Sequence, residues 1–153
     1  MARLTDLHAA AQARLRELDC PAFDTTPWVS GPRLPSRKAA LISSAALVRR
    51  GEAAFISGDA GWRQIPHDAR ADEILMSHVS VNFDRTGFML DLDVVLPRRR
   101  LDELVAAGHL GSVARTHYSF MGSNDPKLLD RTADEIAAQL RAEQVDAAIL
   151  VPV

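Results

Sequence analysis

The segment from Ala114 to Ser123, ARTHYSFMGS, concentrates side chains that could do chemistry. It sets a histidine, a tyrosine, a serine, a phenylalanine and a methionine side by side, followed by a glycine. Neither helical nor strand periodicity accounts for this order, so we expect a tight loop between two helices. Such a loop would present His117 and Tyr118 as hydrogen-bond donors, with Phe120 and Met121 walling an apolar pocket. The alternative is that the aromatic and methionine side chains only fill the core.

Metal ligation would need several of the chain's histidines to converge. No pair of them has the H-x-H or H-x-x-x-H spacing of metal ligands. His78 and Asp84, together with Asp91 or Asp93, could still assemble a site in the fold. For each histidine the alternative is a polar ring satisfied by a local hydrogen bond, and we assign no metal. The histidines concerned are His67, His78, His109 and His117.

Other nucleophiles have weaker support in the sequence. Ser119 lies two residues from His117, but no G-x-S-x-G turn surrounds it and no acid is assigned to orient the histidine. The glycine-rich SGDAG at 57–61 lacks the P-loop lysine and is interpreted as a turn. Cys20 follows the first predicted helix, where the negative end of the dipole disfavours a thiolate.

Composition limits the classes of function. The 153 residues include 18 basic and 20 acidic side chains, a net charge of -2, which offers no electrostatic basis for binding nucleic acid or an anionic membrane. A single cysteine excludes an internal disulfide. The N-terminus has no apolar signal-peptide core, and no stretch approaches the roughly 20 apolar residues of a membrane span. We therefore expect a soluble, cytoplasmic protein.

Periodicity divides the chain into two regions. Residues 1–36 are predicted to form an amphipathic helix, capped by Thr5 or Asp6, and a proline-rich connector. Residues 37–153 alternate between strands and helices, which predicts an α/β layered domain with a mainly parallel sheet flanked by helices. The predicted strands are 38–47, 52–58, 73–81, 88–97 and 146–153, and the predicted helices are 98–108, closed by Gly108, and 125–145, capped by Asp125 and Pro126.

The last predicted strand, 146–153, raises the question of whether the domain continues after it. Its continuous apolar run, DAAILVPV, is typical of a strand buried on both faces of a parallel sheet. In such sheets the chemistry collects beyond the carboxyl ends of the strands. Either the domain ends on a strand, or the loop that carries the chemistry follows Val153.

A long stretch of the sequence resembles a known family. DVVLPRRRLDELVAAGHLGSVARTHYSFMGS is similar to a segment shared by the selenoprotein B subunits of glycine, sarcosine and betaine reductase and of D-proline reductase. GWRQIP at 61–66 and SHVSVNFDRT at 77–86 resemble two further segments of that family. The likeness runs over roughly residues 37–153, and HYSFMG is its most specific element.

The resemblance implies roles for particular residues. His117 and Tyr118 become candidates for proton donation or substrate hydrogen bonding. The residues implied to line the substrate pocket are Trp62, Arg63, His78, Asp84, Ser119 and Met121.

The resemblance also implies a reaction. The protein would be a redox subunit of a dithiol-dependent reductase that cleaves a carbon–nitrogen bond in a small amine or amino-acid derivative. Selenocysteine or cysteine is expected after Val153, so we expect a chain truncated before its redox centre and inactive by itself. A partner subunit would carry a pyruvoyl group. A homo-oligomer is a further expectation, because an exposed last strand favours association.

Two other functions remain open. A homologue that has lost the chemistry could keep the fold and serve as a ligand-binding or scaffold module. A metal-dependent hydrolase built on His78, Asp84 and His117 is the third interpretation.

Overall fold

The computed structural model describes residues 3–17, 22, 24–80 and 85–153. The chain forms two compact units, Met1–Ser30 and Gly31–Val153. In the first unit, helix α1 covers Ala9–Arg16, within the predicted helix but shorter than it. Its N-cap is His8, whose ring accepts a hydrogen bond from the Ala10 amide, and not Thr5 or Asp6. No residue of α1 is buried, so its apolar spacing is not used for packing in the described part of the chain.

The second unit is built around a mixed sheet. Its strands and helices, in chain order, are β1 (Lys38–Ser43), β2 (Leu47–Arg49), β3 (Trp62–Pro66), β4 (Ile74–Met76), α2 (Thr86–Leu90), α3 (Arg98–Ala106), β5 (Ser112–Val113), β6 (Thr116–Phe120), α4 (Asp130–Ala142) and β7 (Ala147–Val151). β1 is central and pairs in parallel with β5 and β6 on one side and with β7 on the other. β3 pairs antiparallel with β6, and β2 and β4 form a small separate sheet. The predicted α/β class with a mainly parallel sheet is confirmed.

Helices cover both faces of the sheet, and the buried side chains show which helix packs on which face. The main core contains Leu41, Leu47 and Ile65 from the strands, and α3 adds Leu101 to it. On the other face of the sheet lies α4, whose Ile136 is buried. Because the strands are sandwiched between helices, their backbone groups are shielded from water and must find partners inside the protein.

The predicted end of α3 at Gly108 is confirmed, whereas Asp125 caps a 3-10 turn and α4 itself begins at Asp130. The Asp125 carboxylate accepts a hydrogen bond from the Lys127 amide, and Pro126 opens the 3-10 turn that leads into α4. Gly108 follows α3 with φ of 73°, a left-handed conformation that glycine adopts without strain. Leu128, which lies in this 3-10 turn, is exposed.

Four sequence-based assignments are wrong. Residues 52–58 are not a strand, although Phe55 is buried. Residues 88–97 contain the end of α2 and a 3-10 turn, because the Asp91 carboxylate caps the turn by accepting from the Asp93 amide. The expected strand 38–47 is two strands, since the chain turns at Ala46, whose φ is 54°. The expected loop at 114–123 contains the strand β6.

β7 does not occupy the position predicted for it. In the described part of the chain it pairs with β1 alone, and Ile149 and Leu150 are 40% and 70% exposed. The doubly buried strand is β1, in which Ala39, Ala40 and Leu41 are at most 1% exposed. Apolar character therefore identified a strand but not its place, because an uninterrupted apolar run is compatible with an edge as well as with a centre.

No helix in the described residues is both long enough and apolar enough to cross a bilayer.

Gly122 is packed too tightly for any side chain. A Cβ there would lie 2.6 Å from the Ser44 Cβ and 2.9 Å from the Ser44 carbonyl oxygen. We expect Gly122→Ala to lower the free energy of unfolding by about 1–3 kcal/mol, because the clash is with backbone that cannot move freely. Denaturant-induced unfolding measures this.

Gly31→Ala is the control for that experiment. Its Cβ would meet only the Arg37 guanidinium at 3.1 Å, which is the end of a flexible side chain. The change should stay within about 0.5 kcal/mol. Equal losses in the two variants would show that the packing at Gly122 is not as described.

Candidate functional site

The two predicted catalytic residues lie on opposite faces of the sheet. Successive side chains alternate along a strand, so His117 and Ser119 share one face of β6 while Tyr118 and Phe120 share the other. His117 contacts the backbone of β1 and the ring of His67, whereas Tyr118 packs against Trp62. His117 and Tyr118 are adjacent in sequence, but the structure does not bring them into one pocket.

A break in the strand pairing explains the position of His117. Lys38 pairs with Ser112, and Ile42 pairs with Tyr118. The two pairs are therefore four residues apart along β1 but six residues apart along the partner chain. The partner strand bulges between β5 and β6, and the carbonyl that would receive the Leu41 amide is displaced. The His117 Nδ1 takes its place and accepts from the Leu41 N–H at 3.1 Å.

Ser119 serves the backbone in the same way. Its hydroxyl donates to the Ser43 carbonyl at 3.0 Å and accepts from the Leu47 amide at 2.8 Å. All of these groups are buried. This hydroxyl therefore joins the end of β1 to the start of β2, across the turn at which the chain leaves the sheet.

His117 begins a chain of hydrogen bonds that reaches the surface. Its Nε2 lies 3.0 Å from the Nδ1 of His67, and the Nε2 of His67 lies 3.0 Å from the Asp102 Oδ1. The tautomers follow from the ends of the chain, since the Leu41 amide can only donate and the Asp102 carboxylate accepts. Each ring is therefore protonated on Nε2, and we call this set, Leu41 N–H, His117, His67 and Asp102, the histidine relay.

Burial keeps the inner histidine neutral. Desolvation, followed by the neighbouring His67 and Arg98, lowers the pKa of His117 to about 3. The relay ends at a backbone amide, which does not release its proton under ordinary conditions. The relay is thus a chain of hydrogen bonds with one fixed direction that joins β1 and β6 to His67 and α3.

Arg98 secures the outer part of the relay. Its Nη1 donates to the carbonyls of Pro66 and His67, at 3.0 and 2.6 Å. The backbone N–H of His67 donates in turn to the Arg115 carbonyl at 2.8 Å. His67 is consequently held through its backbone as well as its ring. Sequence analysis assigned no role to His67 or Asp102, because partners 50 and 35 positions apart leave no local spacing signal.

Trp62 and Arg63 lie at the start of β3 but are engaged within the protein. The Trp62 ring packs edge-on against Tyr118, with centroids 5.6 Å apart, and its Nε1 donates to Glu135 at 2.8 Å. The Arg63 guanidinium lies 4.2 Å from the centroid of Phe55 and 3.2 Å from the Asp59 carboxylate. A substrate carboxylate would have to compete with Asp59 for this guanidinium.

The remaining predicted site residues are elsewhere. His78 is buried, its Nδ1 accepts from the Ser80 amide, and burial together with Arg85 lowers its pKa. Met121 belongs to a separate apolar cluster that includes Phe55. Asp84 lies outside the described residues, as does Cys20. Across the described ranges, no three side chains of His, Cys, Asp or Glu are grouped so that they could hold a metal ion.

Three strand ends meet at Ser44. Its amide donates to the Val151 carbonyl at 3.1 Å, and its hydroxyl accepts from the Val153 amide at 2.8 Å. Its carbonyl accepts from the Gly122 amide at 3.0 Å. These contacts join the carboxyl ends of β1, β6 and β7, which we call the carboxyl edge. Ligands of open parallel sheets bind at this kind of edge.

Polar side chains surround the carboxyl edge on the side of β3. The Asn124 amide donates to the Asp59 carbonyl at 2.7 Å, and the Thr132 hydroxyl donates to the Ala60 carbonyl. Asp59 also accepts from the Gly61 amide at 2.8 Å. The loop before β3 is therefore attached to the start of α4, beside the end of β6.

An apolar cavity of about 350 Å³ lies between α4 and the sheet. Its size falls within the range of small-molecule sites. Residues from β1, β6, β7 and α4 line it, among them Ile42, Phe120, Ile136 and Leu150.

A family model described as glycine/sarcosine/betaine reductase selenoprotein B matches residues 17–153. The chain belongs to this family. It is also 30% identical, over 114 residues, to the D-proline reductase subunit gamma of Acetoanaerobium sticklandii. That alignment covers 72% of this chain and 46% of the relative, so the chain spans about half the length of the curated relative it matches. No solved structure matches the chain.

His117 variants test the backbone role that the bulge creates for this residue. His117→Leu leaves the buried Leu41 N–H without an acceptor, and we expect a loss of about 2–4 kcal/mol in the free energy of unfolding. His117→Asn places an amide oxygen near the position of Nδ1, so its free energy of unfolding should fall clearly less than that of His117→Leu. Denaturant unfolding of both variants decides the matter, and a His117→Leu variant as stable as His117→Asn would contradict the role.

The low pKa of His117 also predicts how stability depends on pH. The pKa is about 3 in the folded protein and 6.5 ordinarily, so between these values the unfolded chain binds a proton that the folded protein does not. The free energy of unfolding should therefore fall as the pH falls from about 6.5 towards about 3, by up to ~1.4 kcal/mol per pH unit. Unfolding measured at about pH 7 and about pH 5 gives the slope.

Two histidine variants serve as controls for this slope. His117→Asn should reduce it, because the titrating ring is gone. His109→Gln removes an exposed histidine outside the relay and should leave the slope unchanged. A slope unaffected by His117→Asn would contradict the assignment.

Proposed function

We propose that this chain is part of a dithiol-dependent reductase that cleaves a carbon–nitrogen bond in a small amine or amino-acid derivative. The observation that carries the proposal is the family match over residues 17–153. The relative from Acetoanaerobium sticklandii, named as a subunit of D-proline reductase, supports the same class of reaction. Its name also supports a multi-subunit assembly, in which this chain would act with reductase partner subunits.

The proposed reaction balances between the dithiol and the substrate. Two thiols lose two electrons and two protons to become a disulfide. The carbon–nitrogen bond breaks, and the carbon and the nitrogen each gain one hydrogen. A thiolate or selenolate has to mediate this transfer, and we propose a selenocysteine or cysteine that follows β7 in the complete subunit. A pyruvoyl group on a partner subunit would capture the substrate.

The carboxyl edge is our proposed position for this chemistry. Ser44 holds Val153 through its hydroxyl, so the direction in which the backbone leaves β7 is defined by two residues of the same edge. Trp62 and Arg63 lie close by, because Trp62 pairs with Phe120 at the end of β6. We propose no proton donation by His117, because both of its ring nitrogens are engaged in the relay.

The alternative function is a ligand-binding or scaffold module without redox chemistry. The apolar cavity beneath α4 favours it, because that cavity offers a binding volume that needs no nucleophile. The two functions differ in one measurable respect, which is whether the natural assembly consumes a dithiol.

Activity of the natural assembly tests the proposal. The protein is purified from its native host, grown with selenium, together with the subunits that accompany it. D-proline, glycine, sarcosine and betaine are each supplied with dithiothreitol, and amine product and oxidised dithiol are quantified. We expect one of these substrates to be consumed with one dithiol oxidised per bond cleaved. An assembly that oxidises no dithiol with any of them would favour the binding module.

Ser44→Ala tests where in the chain the chemistry is organised. Loss of the hydroxyl frees the backbone at Val153, and we expect kcat/KM to fall by about ten- to a hundredfold, the effect of a reacting group held about 1 Å out of place. His109→Gln is the matched control and should keep full activity. Unchanged activity in Ser44→Ala, with the fold intact by circular dichroism, would place the chemistry away from the carboxyl edge.

A further inference from the structure

We propose that the polypeptide following β7 in the complete subunit covers the outer edge of β7 and the apolar cavity beside it. It would do so with a helix that packs next to α4 and a strand that pairs with β7. The inference rests on the proposed function in one respect, which is that the complete subunit continues beyond β7. It adds the place of that continuation in the fold.

β7 is an apolar strand with one unpaired edge in the described part of the chain. It pairs there with β1 alone, and Ala147–Val151 contains no charged residue, proline or glycine. Ile149 and Leu150 are nevertheless 40% and 70% exposed. Natural proteins protect sheet edges with charges, prolines, bulges or a covering element, because a bare apolar edge pairs readily with other chains. The edge of β7 has no charge and no interruption, so it requires a cover.

The cavity on the α4 face of the sheet opens beside the same strand. Ala148 and Leu150, which alternate with Ile149, line the cavity from β7, and Ile136 lines it from α4. Leu150 both lines the cavity and is 70% exposed, so the cavity reaches the surface at β7. All of its lining residues are apolar except Thr132. The cover therefore has to present apolar side chains on this face.

The handedness of the connections places the added helix beside α4. Connections between parallel strands are right-handed in almost all proteins. From β1 to β5 and β6 the chain moves one way across the sheet, and α3 packs on the face that carries Leu41. From β6 to β7 it moves the other way, and α4 covers the opposite face, which carries Ile42. A connection from β7 to a strand on its outer edge continues in this second direction, so its helix lies on the face of α4.

The size of the edge favours a covalently attached segment over a second molecule. The five residues of β7 extend about 17 Å and a sheet layer occupies about 10 Å, so the edge presents roughly 170 Å². Stable interfaces bury about 800 Å² on each partner. A segment of the same chain can use a small edge, because the connection holds it at a high effective concentration. The relative from Acetoanaerobium sticklandii has chain to spare, since the alignment covers 46% of its length.

Thiol labelling tests this placement. Leu150→Cys is made in the chain Met1–Val153 and in the native subunit, which its host produces with selenium and which is then separated from its partner subunits. Both are treated with iodoacetamide at about pH 8, near the thiol pKa, and peptide mass spectrometry reads the rate at this position alone. We expect the introduced thiol to react at least about tenfold more slowly in the native subunit, because a covered thiol reacts only when the structure opens locally. Ala148→Cys, on the same face of β7, replaces Leu150→Cys if that variant does not fold.

Met89→Cys is the matched control. Met89 is 80% exposed on α2, and Phe88 of the same helix packs against the core that contains Leu101, on the face opposite the cavity. This thiol should react at the same rate in both proteins. Equal rates for Leu150→Cys in the two proteins would overturn the placement. Protection that appears only with the partner subunits, or that grows with the concentration of the chain Met1–Val153, would also overturn it, because a partner or a second copy would then be the cover.

Dithiol oxidation by the wild-type assembly separates this inference from the proposed function. Oxidation together with an unprotected thiol overturns the placement and leaves the reductase standing. Protection without oxidation supports the placement and counts against the reductase.

Discussion

The sheet depends on hydrogen-bond partners for the buried backbone groups of β1, its central strand. Its partner strand bulges between β5 and β6, and the chain turns sharply after Ser43, so buried amides and a carbonyl lose the partners that a regular ladder would provide. An unsatisfied buried backbone group costs about 1–3 kcal/mol. His117 and Ser119 supply the missing acceptors and donor from a neighbouring strand. These two side chains keep β1 in the centre of the sheet despite the irregular pairing.

The need for backbone partners changes the interpretation of HYSFMG, the segment on which the resemblance to the family mainly rested. His117 and Ser119 complete the backbone bonding on one face, while Tyr118 packs against Trp62 on the other. Met121 fills a separate cluster, and Gly122 leaves room for Ser44. Five of the six residues of the segment therefore have a packing or bonding role, and Phe120 lines the apolar cavity. A sequence pattern can thus be characteristic of a family of reductases because the fold requires it.

Sequence reasoning succeeded where the signal is local and failed where partners are distant. The caps at Asp125 and Gly108 and the α/β class followed from residues close together in the chain. The apolar run 146–153 identified β7 but could not distinguish an edge strand from a central one. The pairing of β1 with three later strands and the relay to Asp102 involve residues 35–108 positions apart. Such contacts arise from topology, and a single sequence carries no periodicity that reports them.

The histidine relay and the carboxyl edge lie at opposite ends of the parallel strands. His67 follows the end of β3, which runs antiparallel to β6, so the relay leaves the sheet at the amino ends of the parallel strands. Ser44, Gly122 and Val153 lie at the opposite end. Ligands of open parallel sheets bind at carboxyl ends, and residues at the other end mostly contribute stability. The histidine relay therefore holds the sheet together, while the position that we propose for the chemistry lies across the sheet from it, at the carboxyl edge that Ser44 organises.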